Sequence, residues 1–313
     1  MTDLPTIADI HQAAERIASV VHNTPVHTCR TFDLSTGCRA YFKCENFQKV
    51  GAFKARGASN AVLSLGNEVT SVATHSSGNH GAAVAYAARL SGKNAQIVIP
   101  EGSNRLKVEA IRQYGGIIRP CAPGMRSRQS SLADVVRETG AAVIHPFDDS
   151  LVIAGQGTAA LELLGDLPDI DLIVTPVGGG GLISGTLLVA KSQNRPVRVI
   201  GVEPATADDA RQSFRSGTRV TIDAAKTIAD GLRASIGERN FELIRTYADD
   251  IVTVTDEEIV TAMRFVLTRM KILIEPSAAA PVAALLNGRI ADHGKKIGII
   301  LTGGNADPDD LPW

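Results

Sequence analysis

Residues 171–185 read DLIVTPVGGGGLISG, and this stretch decides the fold. An apolar run ends in four consecutive glycines, and a helical pattern then continues to residue 191. A strand that passes through a glycine-rich turn into a helix is typical of parallel α/β sheets, which bind ligands at the carboxyl ends of their strands. The stretch therefore predicts a parallel sheet with a ligand site at residues 178–181.

The same alternation of apolar strands and helical patterns extends on both sides of this stretch. Because the strands are apolar throughout and separated by helices, they indicate an α/β fold with two mostly parallel sheets, covered on both faces, and a ligand cleft between them. The predicted strands are 71–75, 95–100, 116–121, 141–146, 171–176, 197–204 and the strand that leads into LTGGNAD; the predicted helices are 81–90, 106–114, 127–139, 157–165 and 183–191.

The charge balance favours a small-molecule partner over nucleic acid or a membrane. The 313 residues carry 32 Lys and Arg against 33 Asp and Glu, so no polybasic face is indicated. The N-terminus lacks the basic and apolar regions of a signal peptide, and no apolar run approaches the roughly 20 residues of a spanning helix. The four cysteines form no CxxC pair, which favours reduced thiols and a cytoplasmic protein.

Two glycine-containing loops are candidate anion sites. The four glycines at 178–181 lack the GK[ST] of a Walker loop and the GxGxxG register of a dinucleotide site, so they indicate a lone phosphate group rather than a turn alone. The loop HSSGNHG at 75–81 offers several donors at a helix N-terminus. It indicates a carboxylate site, with ordinary helix capping as the alternative.

Three further features bear on the chemistry. Lys54 lies among small and aromatic residues in KVGAFKARG, and Thr302 stands at the end of the strand that leads into LTGGNAD. The segment EPATADD places Glu203 and Asp209 near backbone carbonyls, which suits a hard cation, although a solvated acidic loop is the alternative. Together, a phosphate cradle, a carboxylate loop, a hydroxyl and a lysine fit pyridoxal phosphate bound through a lysine Schiff base.

Eight ordered segments resemble the serine/threonine dehydratase and serine racemase family of pyridoxal-phosphate enzymes. They are KCENFQKVGAFKARGA, HSSGNHG, VIAGQGT, PVGGGGLISG, GVEPATADDA, TIADGL, EPSAA and LTGGNAD. The resemblance implies the type II, tryptophan-synthase-β-like fold, with two open twisted sheets and the cofactor between a large domain (1–66 plus 147–313) and a small domain (67–146). The LPW ending is similar to hydroxyaspartate ammonia-lyases.

The resemblance also implies roles for individual residues around the cofactor. Lys54 is the Schiff-base lysine and the general base, Phe53 lies beside the ring, Asn79 hydrogen-bonds the ring hydroxyl, and Thr302 faces the pyridine nitrogen. The implied phosphate site consists of Gly178, Gly179, Gly180, Gly181 and Leu182.

For the substrate, the resemblance implies a carboxylate site made of Ser76, Ser77, Asn79 and His80. In racemases of the family, the serine that matches Ser77 returns a proton to the opposite face of Cα. Arg128 aligns with an arginine that in relatives meets a second carboxylate, as in 3-hydroxyaspartate; an exposed arginine is the alternative for both Arg126 and Arg128. Phe147 replaces a polar residue of the racemases.

The expected activity is an ammonia-lyase (dehydratase) that converts L-threonine, L-serine or 3-hydroxyaspartate to a 2-oxo acid and ammonia. A serine or aspartate racemase is the alternative, and a ligand-binding protein without activity is a third hypothesis. The resemblance implies a Mg²⁺ or Ca²⁺ site at Glu203, the Ala207 carbonyl and Asp209, and a homodimer. Lys49 and Arg56 are interpreted as surface or interface charges.

Overall fold

A computed structural model of the chain describes residues 3–222 and 225–313. The larger of its two sheets has six strands, of which only the edge strand β1 is antiparallel to its neighbour. Across the sheet the order is β1 (Val26–Thr28), β2 (Arg39–Cys44), β10 (Lys296–Leu301), β7 (Leu172–Pro176), β8 (Arg198–Pro204) and β9 (Asp250–Val254).

The smaller sheet has four strands, and all of them are parallel. Their order is β5 (Gly116–Cys121), β4 (Asn94–Pro100), β3 (Ser71–His75) and β6 (Ala142–Val143). This sheet is built entirely from chain within residues 67–146, and the larger sheet from chain outside that range. The predicted class, two mostly parallel sheets flanked by helices, is confirmed; the exact domain boundaries stay a prediction.

Helices connect the strands and cover both sheets. They are α1 (Ile7–Ile17), α2 (Arg30–Thr36), α3 (Lys54–Leu63), α4 (Asn79–Leu90), α5 (Arg105–Gln113), α6 (Met125–Thr139), α7 (Ser150–Asp166), α8 (Gly181–Lys191), α9 (Asp209–Ser216), α10 (Glu238–Tyr247), α11 (Asp256–Phe265) and α12 (Pro276–Leu286). Short 3-10 turns lie at Glu45–Phe47, Lys49–Gly51 and Asp230–Leu232, and a π turn at Val266–Met270.

Local sequence explains where several helices begin and end. The side chain and backbone of Thr6 exchange hydrogen bonds with Asp9, which forms a capping box at the start of α1, and α11 begins with the same device at Thr255. Gly37 and Gly140 adopt left-handed conformations, with φ of 72° and 66°, and so terminate α2 and α6.

Glycine-to-glycine contacts pack α7 against α3 and α8. A Cβ on Gly155 would lie 2.6 Å from the Cα of Gly57, and one on Gly185 would lie 2.5 Å from the nitrogen of Gly157. The predicted helix at 157–165 in fact begins at Ser150. Glycines usually weaken a helix, but here they are retained because they let the three helix backbones approach closely around the segment that carries Lys54.

Within the residues that the structure describes, no helix has both the length and the apolar character needed to cross a membrane.

Candidate active site

The carboxyl ends of β3, β7 and β10 lead into one cavity of about 440 Å³. This is the edge at which parallel sheets bind ligands. The cavity brings together all of the predicted cofactor and substrate residues, which come from distant parts of the chain. They are Phe53, Lys54, Ser76, Ser77, Asn79, His80, Arg128, Gly178, Gly179, Gly180, Gly181, Leu182 and Thr302.

Lys54 is the first residue of α3, and its side chain is partly buried in this cavity. Its Nζ donates a 2.7 Å hydrogen bond to the carbonyl of Pro146 and lies 5.1 Å from the centre of the Phe53 ring. Burial lowers the pKa of Lys54 to about 8, and attraction to the Glu275 carboxylate limits that shift. The amine is therefore closer to its neutral, nucleophilic form at neutral pH than an exposed lysine would be.

The glycine loop between β7 and α8 forms a cradle with almost no room for side chains. Gly180 has a φ of 93°, and a Cβ on Gly179 would collide with the ring of Phe147. The loop ends at the N-terminus of α8, where backbone N–H groups have no intrahelical acceptor and the helix dipole favours an anion. The cradle fits a phosphate group.

Thr302, the residue predicted to face the pyridine nitrogen, carries a buried hydroxyl. The residue lines the cavity, and its Oγ1 is buried and has no hydrogen-bond partner among residues 3–222 and 225–313. Its carbonyl accepts a 3.0 Å hydrogen bond from the amide of Phe53, which holds the Lys54 segment beside the end of β10. A buried, unpaired hydroxyl is costly unless a ligand completes it, so this atom and the glycine cradle together fit pyridoxal phosphate.

The predicted carboxylate site surrounds the N-terminus of α4. Ser76 Oγ accepts a hydrogen bond from the amide of Gly78, and Ser77 lies beside it in the cavity wall. The Nε2 of His80 is 3.1 Å from the carbonyl of Ile144 and so must carry the hydrogen, which leaves Nδ1 as an acceptor. Burial also holds the pKa of His80 well below its usual value. The geometry therefore favours a contact through the His80 backbone N–H rather than its ring.

Arg128 and His75 line one part of the cavity, whereas Arg126 is exposed and does not line it. The pKa of His75 is lowered first by burial and then by the charge of Arg128. In the described part of the chain, the Arg128 guanidinium makes no ion pair with a carboxylate. Arg128 therefore lines the cavity as a cation that has no carboxylate partner among the described residues.

Sequence reasoning missed several cavity residues, among them Glu275, Asp230 and Lys107. Glu275 is buried, and its carboxylate accepts hydrogen bonds of 2.8 and 3.1 Å from Nδ2 of Asn79. Burial, followed by repulsion from Asp230, raises the pKa of Glu275 to about 7. Lys107 of α5 forms an ion pair with Asp230 at the cavity wall. The segment EPSAA could have indicated Glu275, because a glutamate next to small and apolar residues is expected to be buried and to have a specific partner.

The prediction that Arg56 is a surface or interface charge was wrong. Its side chain is fully buried, and its guanidinium bonds both oxygens of Glu45 and both oxygens of Glu162. Lys43 adds a second ion pair to Glu162. An arginine is tolerated in the protein interior when its guanidinium group is fully paired with carboxylates in this way.

The predicted cation residues lie apart from the cavity, around the start of α9. Glu203 accepts hydrogen bonds from the amides of Ala210 and Arg211, and Asp209 Oδ2 accepts one from Ile236. Burial raises the pKa of both carboxyls, to about 6 for Asp209, and their mutual repulsion raises that of Glu203 further. Over residues 3–222 and 225–313, Asp209 Oδ1 is buried without a partner, and no cluster of three acidic, His or Cys side chains suited to a metal occurs.

Comparison with known proteins shows which family the chain belongs to. A sequence profile described as pyridoxal-phosphate dependent enzyme matches residues 17–303. The chain is 44% identical to a beta-hydroxyaspartate dehydratase of Paracoccus denitrificans, over 99% of each chain. It is 45% identical to an L-threo-3-hydroxyaspartate ammonia-lyase of Saccharomyces cerevisiae, over 97% of this chain and 94% of the relative. The structure of maize serine racemase superposes with a TM-score of 0.96 at 44% identity, over 98% and 95% of the two chains. This chain therefore belongs to the pyridoxal-phosphate dependent enzyme family.

Proposed function

We propose that this enzyme is an ammonia-lyase that converts 3-hydroxyaspartate to a 2-oxo dicarboxylic acid and ammonia. The observation that supports this substrate is Arg128, an arginine that lines the cavity and forms no ion pair with a carboxylate in the described residues. Arginine matches a carboxylate in shape and charge. Two relatives carry names for hydroxyaspartate elimination, but a serine racemase is as similar in sequence, so the choice depends on the site.

The chain's own residues bind and orient the reactants. The glycine loop binds the phosphate of the cofactor, and the N-terminus of α4 with Ser76 and Ser77 receives the α-carboxylate of the substrate. Arg128 receives the β-carboxylate. The pyridoxal phosphate ring, when bound, accepts the electron pair that is left at Cα. This double anchoring holds Cα in one orientation relative to Lys54.

Lys54 then moves the proton. Its Nζ removes the hydrogen from Cα, for which the lowered pKa of the side chain makes it a suitable base near neutral pH. The β-hydroxyl leaves as water with a proton equivalent to the one that Lys54 removed. The released enamine gains a proton at Cβ as it becomes an imine, and hydrolysis of the imine consumes one water and gives the 2-oxo acid and ammonia. Over the whole reaction, one C–H, one C–O and one C–N bond of the substrate are broken.

Ser77 supports a second candidate function, a racemase of serine or aspartate. It lies in the same cavity as Lys54, and a hydroxyl that returns a proton to Cα from the other face would invert the centre instead of eliminating the hydroxyl group.

A product assay tests both candidates. Purified enzyme is incubated with each stereoisomer of 3-hydroxyaspartate, with L-serine, L-threonine and L-aspartate, and both 2-oxo acid and D-amino acid are measured in the same tube. We expect 2-oxo acid from a 3-hydroxyaspartate isomer at the highest kcat/KM. D-product that outpaces 2-oxo acid on every substrate would reject the lyase.

Reduction with borohydride tests the third hypothesis, a ligand-binding protein without activity. We expect the visible absorption of the cofactor to bleach and mass spectrometry to find the pyridoxyl group on Lys54. If borohydride attaches no pyridoxyl group to the protein, the result would support the hypothesis of a ligand-binding protein without activity.

We further propose that Mg²⁺ or Ca²⁺ binds at Glu203, the Ala207 carbonyl and Asp209. Two buried carboxylates, one with an unpaired oxygen in the described structure, are costly without a cation. The site is outside the catalytic cavity. We therefore expect the bound cation to stabilise the fold and not to contact the reacting atoms.

A further inference from the structure

Glu275 is a buried carboxyl in the catalytic cavity that has no part in the mechanism above. It precedes α12 and is 4% exposed. Its amide donates a 3.0 Å hydrogen bond to the carbonyl of Gly303, and a Cβ on Gly303 would come within 2.5 Å of its Oε1. The carboxylate is thus held against the end of β10, with both oxygens turned to Asn79.

The orientation of the Asn79 amide follows from a chain of hydrogen bonds. The carbonyl of Val50 can only accept, so the atom of Asn305 that meets it at 2.8 Å is Nδ2. The same Nδ2 lies 2.9 Å from Asn79, and the atom it meets there must be the acceptor Oδ1. The remaining atom of the amide, Nδ2, therefore faces Glu275.

Val50, where this chain of hydrogen bonds begins, has an uncommon backbone conformation. Val50 is β-branched, yet its φ is 54°. Such a conformation is disfavoured for a β-branched residue and is retained where the surroundings require it. Here it is the conformation in which the carbonyl of Val50 meets Asn305.

Both ends of the Asn79 side-chain amide have partners, and one of its two N–H hydrogens is left without one among the described residues. Among the described residues its Oδ1 is taken by Asn305, and one N–H pointing between the two Glu275 oxygens accounts for both contacts of 2.8 and 3.1 Å, so its second N–H remains for an acceptor in the cavity that Asn79 lines. We propose that Glu275 and Asn305 are positioning residues that lock the Asn79 amide, so that its second N–H is presented to the ring oxygen of pyridoxal phosphate. The inference rests on the family's cofactor and on the predicted role of Asn79, not on which amino acid is consumed.

The test is a set of substitutions read out on the resting enzyme without substrate. The readouts are the absorption spectrum of bound cofactor and its dissociation constant by equilibrium dialysis. Glu275→Ala should shift the spectrum in the same direction as Asn79→Ala and weaken cofactor binding about tenfold, the effect of one lost hydrogen bond. Glu275→Gln should restore both readouts when they are measured above pH 8, because its Oε1 can still accept from Asn79 Nδ2 and the lost charge of Glu275 no longer decides the protonation of Lys54.

A double-substitution cycle separates positioning from a general loss of structure. If Glu275 acts through Asn79, then Glu275→Ala should add nothing to Asn79→Ala, whereas independent effects would multiply. Asn305→Asp keeps the size of the side chain but replaces a donor by an acceptor, so it should turn the Asn79 amide and reproduce the Asn79→Ala spectrum.

Either of two results would overturn the inference. One is a folded Glu275→Gln variant that does not behave as wild type. The other is a folded Asn305→Asp variant that does behave as wild type. The inference is also overturned if the cycle is additive. Because no substrate is present, failure here leaves the proposed lyase untouched, and failure of the product assay leaves this inference untouched.

Discussion

The side-chain nitrogen of Lys54 donates a 2.7 Å hydrogen bond to the backbone carbonyl of Pro146. A carbonyl oxygen carries no full charge, so it orients the amine without stabilising the ammonium form as a carboxylate would. The amine is therefore aimed by its neighbours while burial keeps its pKa at about 8.

This lowered pKa predicts the pH dependence of cofactor attachment. A lysine reacts with an aldehyde only when neutral. Because the pKa of Lys54 is about 8 instead of its usual 10.5, the rate at which cofactor-free enzyme takes up pyridoxal phosphate should rise up to about tenfold per pH unit below pH 8 and level off above it. Absorbance after mixing at a series of pH values measures the rate. A rate that keeps rising to pH 10 would contradict the lowered pKa.

Removal of the Lys54 amine should abolish turnover. Lys54→Ala should fold, hold pyridoxal phosphate only loosely and lose activity by at least about 1,000-fold, because it lacks both the covalent anchor and the base. Lys49→Ala, in the same segment but outside the cavity, is the matched control and should keep most of its activity. Wild-type-like turnover in Lys54→Ala would overturn the assignment of the site.

Loss of the Arg56 guanidinium should destabilise the fold strongly, because it leaves buried carboxylates without their main partner. Arg56→Met leaves Glu45 buried without its main partner, and the free energy of unfolding should fall by about 3–5 kcal/mol. Arg137→Met is the control, because Arg137 and Asp134 form an exposed pair within α6 that should contribute less than about 1 kcal/mol. Urea unfolding of both variants measures the difference. Equal effects would mean that the fold tolerates these carboxylates without the Arg56 guanidinium.

Much of the fold and cavity could be predicted because the signals are local in sequence. Four glycines after an apolar strand define a phosphate cradle wherever the rest of the chain lies, and the apolar neighbours of Lys54 are visible in KVGAFKARG. The alternation of strands and helices is likewise local, and it predicted the parallel sheets correctly.

The misses depend on contacts between distant parts of the chain. Whether Arg56 is buried depends on Glu162, 106 residues later, and the contact of Glu275 with Asn79 spans 196 residues. The start of α7 was missed because Gly155 and Gly157 discourage a helix in isolation, and only packing against neighbouring helices explains them.

The proposed cation site predicts a metal-dependent stability. Addition of Mg²⁺ or Ca²⁺ to chelator-treated enzyme should raise the unfolding temperature by a few degrees, because a ligand of the folded state alone stabilises it. Asp209→Asn should lose this response. Asp208→Asn, one residue away but partly exposed and bonded to Gln212, should keep it. A response that survives in Asp209→Asn would place the cation elsewhere.

Arg128 should decide between dicarboxylate and monocarboxylate substrates. Loss of a charged hydrogen-bonding partner costs about 1.5–3 kcal/mol, or roughly 10- to 100-fold in kcat/KM. Arg128→Leu should therefore lower kcat/KM for 3-hydroxyaspartate by that factor and change it less than about threefold for L-serine and L-threonine. Arg126→Leu is the matched control, because Arg126 lies in the same turn of α6 but is exposed outside the cavity; it should leave all three substrates unaffected. An equal loss on all three substrates would show that Arg128 supports the cavity instead of reading the second carboxylate, and the substrate proposed here would then lose its structural basis.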